Sequence, residues 1–146
     1  MGKLYQRTAV KSYQLGLLQS RAHRAVNTFM TAYLANLDLS LPEWSLMGIL
    51  KEKGGLQPAK IAGILGVKPP VATTLISGLE RKGLVCRGKH EHDSRSAVIT
   101  LSQKGENVMA ATEKLLSKEL RAFLGDLALP EIMLYMRVLA KLAAKL

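Results

Sequence analysis

Between Pro58 and Gly83 the chain reads PAKIAGILGVKPPVATTLISGLERKG, two helical patterns with almost nothing between them. The first begins near Pro58 and ends at Gly66; the second begins at Pro69 and ends at Gly83. Proline fits the first turn of a helix, where its missing N–H would have had no partner, and glycine stops a helix in the left-handed conformation. Only about three residues remain to join the two helices, so they must cross sharply, with the second projecting outward. Ala62 is small enough for a close crossing, Gly66 supplies the turn, and Val67 and Leu75 supply apolar contact. This is the pattern of a helix-turn-helix.

The second helix has two unlike faces. Ala72, Leu75, Ile76 and Leu79 recur at steps of three and four, while Pro70, Thr73, Thr74, Ser77 and Arg81 fall opposite, with Glu80 on the flank. An ordinary amphipathic helix would share the apolar face. A helix facing only solvent, however, usually carries lysine and glutamate in pairs four apart. Small hydroxyl side chains suit a helix that fits closely in a groove, because their oxygens donate to or accept from base edges and threonine methyls touch thymine methyls. Lys68 stands beside the N-cap, where a cation opposes the helix dipole. A bound phosphate reverses that penalty, so Lys68 is read as a phosphate contact rather than as a solvated turn residue.

The flanking sequence supplies the remaining elements. The first forty residues are expected to form one long helix, with Leu15, Leu18, Ala22, Val26, Phe29 or Met30, Tyr33 and Leu37 in helical register. Ser40 and Glu43 have the spacing of a capping box, and Gly54 and Gly55 end the short helix that they open. Leu84 to Arg87 and Ala97 to Leu101 are expected to be strands, with Gly88 to Ser96 as the connecting loop. Ser102 is a good N-cap for a long helix closed by Gly125, and a last helix enters at Pro130 with Leu134, Val138 and Leu142 stacked at four-residue spacing. The expected fold class is mainly α with a small β-hairpin wing.

Charge selects among partners for such a fold. There are 21 lysines and arginines against 11 acids, a formal +10, which favours a polyanion, nucleic acid before a membrane surface. From Lys51 to Arg95 nine basic residues meet four acids, a net +5. No apolar run is long enough to span a bilayer, so no membrane is expected. With one cysteine and no secretion signal, the expected location is the reduced cytoplasm. No phosphate-cradling glycine loop, nucleophile–base pair or metal-ligand cluster is present, so neither an enzyme nor a cofactor is expected.

A helix-turn-helix followed at once by a basic hairpin is a winged helix. Arg95 is the candidate to enter a narrow minor groove, where arginine suits the negative potential. Asp93 would be repelled there and is read as shaping the wing. The stretch GLERKGLVCRGKHEHDSRSAVITLSQKG resembles the wing region of the MarR family of transcription regulators. The matching residues are Leu79, Gly83, Arg87, Asp93, Arg95, Leu101, Ser102 and Gly105.

The resemblance implies one domain over residues 1–146, with a DNA-binding part at 40–102 and dimerisation helices at 1–39 and 103–146. It implies a homodimer that binds double-stranded DNA at a pseudo-palindromic operator, acts as a repressor and is released by a small aromatic or anionic effector. Lys68, Thr73, Thr74, Ser77, Arg81, Arg87 and Arg95 are the expected DNA contacts. Trp44, Met47, Arg21, His23 and Phe29 are placed to line an effector site, though each is equally a core or surface residue. The chain departs from the family in having no lysine or arginine between Lys68 and Arg81, so guanine cannot be read bidentately from mid-helix. The contrasting reading is an architectural protein that binds any duplex. Cys86 is read as a small packed strand residue rather than a redox sensor, and His90 and His92 as too sparse for a metal site.

Overall fold

The computed structural model describes residues 10–146 apart from Glu91; of His90, Asp93, Ser94 and Arg95 it describes the backbone. Eight elements succeed one another: α1 (Ser12–Ala35), α2 (Leu41–Lys53), α3 (Pro58–Leu65), α4 (Pro69–Arg81), β1 (Val85–His90), β2 (Asp93–Leu101), α5 (Gln103–Phe123) and α6 (Leu129–Ala143). The chain divides into two compact units, one up to Trp44 and one from Ser45 to Leu146.

In the first unit α1 stops where Asp38 takes a left-handed φ of 54°, which lets the Leu39 N–H donate back to the Leu34 carbonyl. The expected capping box opens α2. The Glu43 N–H donates to Ser40 Oγ at 3.2 Å, and the Ser40 N–H donates to Glu43 Oε2 at 2.8 Å. Two N–H groups that the first turn of a helix leaves without partners are satisfied in this way.

In the second unit α3 ends at Gly66, whose φ of 67° costs glycine no steric strain, and the axis bends by 109° on entering α4. The short connection therefore makes the steep crossing that its length requires. Leu46, Met47, Ile61, Ile76, Leu79 and Ile99 are fully buried in the core. β1 and β2 form an antiparallel ribbon, with Val85 opposite Leu101, Arg87 opposite Ile99 and Lys89 opposite Ala97. Leu56, between α2 and α3, exchanges both backbone hydrogen bonds with Ile99, at 3.0 and 2.8 Å. That bridge gives β2 a backbone partner on its second side at Ile99.

The strands run further than the sequence suggests. The expected loop from Gly88 to Ser96 is largely strand: β1 extends to His90 and β2 begins at Asp93, with a register break between Lys89 and His90, where the pairing passes from Ala97 to Asp93. A two-stranded ribbon that leaves the core has solvent on both faces, so polar residues remain in strand without an apolar alternation.

The start of α5 locks the hairpin's base to the end of α4. Ser102 Oγ accepts from the Gly105 N–H at 2.9 Å and donates to the Gly83 carbonyl at 2.6 Å. Gly105 is buried, and a Cβ there would collide with the Leu84 carbonyl oxygen.

Candidate nucleic-acid interface

α4 is seated by its apolar face and uncovered on the other. Ala72, Ile76 and Leu79 are buried, and Leu75 is half-buried. Pro70, Thr73, Thr74 and Arg81 are exposed, and Ser77 is half-buried on the same side. The first turn holds no acid. Lys68 occupies the N-cap position in extended conformation, exposed, and its side chain makes no capping bond. The positive end of the helix and a lysine charge thus meet here. Pro69 and Pro70 remove two N–H groups that could have held a phosphate, so an anion would gain from charge and dipole rather than from backbone donors.

Both threonines have settled their hydroxyl protons. Thr73 Oγ1 donates to the Pro69 carbonyl at 3.1 Å, and Thr74 Oγ1 donates to the Pro70 carbonyl at 3.0 Å. What remains for a partner is the oxygen lone pairs and the methyl groups. Val71, 47% exposed, lies three residues before Thr74 on the adjoining side of the helix. The sequence pattern assigns Val71 to neither face of the helix, because its exposure depends on which neighbours cover it.

Two contacts tie the end of α4 to the hairpin and to α5. Arg87 on β1 forms an ion pair with Glu80, its Nη2 2.8 Å from Oε1. Lys104 Nζ donates to the Lys82 carbonyl at 2.8 Å, at the C-terminal end of α4 where a cation is favoured. Arg87, expected as a DNA contact, is therefore also tied to the recognition helix. Lys60, Lys68, Arg81 and Lys89 are exposed around this region. Lys51, another expected part of the basic field, is paired with Glu106 on α5.

The expected site residues Lys68, Thr73, Thr74, Ser77 and Arg81 come together on or beside one helix, with Arg87 on the adjoining strand. Asp93 and Arg95 lie in β2 near the ribbon's outer end; their side chains are outside the described residues. Cys86 corrects its reading as a packed residue. It is exposed, because the two-residue period of the strand buries Val85 and turns Cys86 to solvent opposite the exposed Thr100. Of the residues considered for an effector, Trp44 and Met47 are buried, Phe29 is half-buried, and Arg21 and His23 are exposed. On α6, Leu134, Val138 and Leu142 are 60%, 44% and 47% exposed, a stripe that the described residues leave largely open.

A steep helix pair, a second helix held by its apolar face, and a hairpin braced against that helix define a winged helix-turn-helix protein. The sequence profile of the MarR family matches residues 39–97. The transcriptional regulator HosA of Escherichia coli is 30% identical over 106 residues, which cover 72% of this chain and 78% of HosA. The chain belongs to the MarR family of transcriptional regulators. An HTH-type transcriptional repressor of Mycobacterium tuberculosis is 28% identical over 130 residues, covering 89% of this chain and 94% of the repressor. Among solved structures, a MarR-family transcriptional regulator from Rhodococcus superposes with a TM-score of 0.81 at 19% identity, covering 93% of this chain and 96% of its own. Mutant MarR from Escherichia coli complexed with operator DNA superposes with a TM-score of 0.77 at 20% identity, covering 88% and 92%. At these identities the structural likeness speaks for the fold.

Proposed function

We propose that the chain is a homodimeric regulator that binds double-stranded DNA at a pseudo-palindromic operator and acts as a repressor. The observation that carries this reading is the seating of α4: its apolar side is buried, and its other side is acid-free in the first turn, exposed and headed by Lys68. On this reading α4 lies in the major groove, while Lys68 and Arg81 meet phosphates. The ribbon carrying Arg95 flanks the duplex at the minor groove, and Asp93 shapes its tip. The likeness to MarR crystallised with operator DNA and the repressor named among the relatives support it.

The dimer is supported by apolar surface that the described residues leave largely open. On α1, Tyr13 and Leu15 are 66% and 60% exposed; on α6, Met133 and Leu134 are 63% and 60% exposed. Exposed apolar side chains of this kind, on each of the two helices, mark an interface, and a second copy is the simplest partner. Residues 40–102 then form the DNA-binding part, and 1–39 with 103–146 the dimerisation part. A small aromatic or anionic effector would release the operator, and the protein would act in the cytoplasm.

The competing reading is an architectural protein indifferent to sequence. Recovery and sequencing of genomic fragments bound by the purified full chain at moderate salt separates the two. The regulator enriches a short inverted repeat with half-sites about one helical turn apart. The architectural protein recovers all fragments alike, with a steep salt dependence.

A further inference from the structure

A recognition helix reads bases chiefly with its N-terminal turns. With Lys68 assigned to a phosphate, the stretch from Pro69 to Thr74 offers a base edge no hydrogen-bond donor. Pro69 and Pro70 have no N–H. The N–H groups of Val71 and Ala72 both donate to the Lys68 carbonyl, at 3.0 and 3.3 Å. The hydroxyl protons of Thr73 and Thr74 go to the carbonyls of Pro69 and Pro70. No lysine or arginine stands between Lys68 and Arg81. The outward surface from Pro69 to Thr74 is therefore ring methylene, the exposed Val71 side chain, two threonine methyls and two acceptor oxygens.

Base pairs differ in what they return to such a surface. Guanine presents two acceptors in the major groove and needs a donor, which this surface lacks. Cytosine presents an amino donor but no methyl. An A·T pair alone presents a methyl group, on thymine, beside an amino donor, on adenine. We infer that the first turns of α4 select an A·T pair in each half-site. Val71 and the Thr74 methyl pack on the thymine methyl, and a threonine oxygen accepts from the adenine amino group. This rests on α4 entering the major groove as proposed above, and it adds Val71 as a residue that sets specificity.

The test uses the full-length protein and a duplex selected from a random pool. Each thymine of a half-site is replaced singly by deoxyuridine, which removes only the methyl. The wild type loses about fourfold in affinity at one or two thymines, the factor expected for one buried methyl group. Val71→Ala and Thr74→Ser lose affinity on the thymine duplex but lose little more on the deoxyuridine duplex, because the methyl contact is already gone. Thr74→Ser keeps the hydroxyl, and both positions are exposed, so folding is not at issue. If a specific site is selected but deoxyuridine is tolerated throughout, or G·C pairs lie under the first turns of α4, the inference is overturned and the regulator reading stands. Uniform recovery of every duplex overturns both.

Discussion

Arg87 on β1 donates from Nε and Nη2 to a single carboxylate oxygen of Glu80 on α4, at 3.2 and 2.8 Å. The bond joins the first wing strand to the last turns of the recognition helix. Both side chains are a third or more exposed, at 40% and 33%, so the pair contributes at most about 1 kcal/mol to stability. Its larger effect is on aim and charge: Glu80 holds the guanidinium beside α4 and offsets its positive charge there.

Removing that charge tests the balance. Glu80→Gln is expected to leave the unfolding midpoint nearly unchanged and to raise affinity for duplexes of any sequence. The slope of log affinity against log salt should steepen by about one, the increment for one further phosphate contact. A salt titration on a random-sequence duplex measures it. An unchanged slope means that Arg87 does not reach the backbone.

Arg95→Ala is expected to weaken operator binding by tenfold or more, about 1.4 kcal/mol, while the assembly state stays that of the wild type. Fluorescence anisotropy on the selected operator, with sedimentation equilibrium on the same sample, reads both. Full affinity in the variant would remove the wing from the interface.

Ser102 satisfies the N-terminus of α5 and the carbonyl of Gly83 with one hydroxyl. Ser102→Ala is expected to cost about 1–2 kcal/mol, since it removes a helix cap and leaves a carbonyl without its donor. Urea denaturation would show it as a lower midpoint at constant slope.

Gly105→Ala places a methyl against the Leu84 carbonyl oxygen, a backbone atom that cannot swing aside. Separation of α5 from the base of the hairpin is expected to cost about 1–3 kcal/mol, the range for overpacking. DNA affinity should fall with it, because the same backbone positions the wing. A variant as stable as the wild type would show that α5 has room to move.

The open stripe on α6 gives a separate test of assembly. Leu134→Glu with Val138→Glu is expected to yield a folded monomer, as both side chains are exposed in the single chain. Sedimentation equilibrium measures the mass, and circular dichroism shows the helices kept. Operator affinity should drop steeply when two half-sites are no longer bound together. A persistent dimer would put the interface elsewhere.

What could be read from the sequence was local chemistry. The capping residues Ser40, Glu43 and Ser102 each find their partner three residues away, and Gly54 and Gly66 end helices through their own φ angles. The steep angle between α3 and α4 comes from the brevity of their connection, and the seating of α4 from the spacing of Ala72, Ile76 and Leu79. These depend on residues close in the chain, so pattern and propensity suffice.

The tertiary structure alone decided the rest. The bridge from Leu56 to Ile99, the pairing of Arg87 with Glu80 and the close approach of α5 to Leu84 join segments whose meeting no local pattern encodes. The exposure of Cys86 and Val71 depends on which neighbours arrive to cover them, and none did. The length of the wing strands was hidden for a related reason. A ribbon in solvent buries neither face, so its sequence carries no apolar alternation, and only the backbone pairing reveals it.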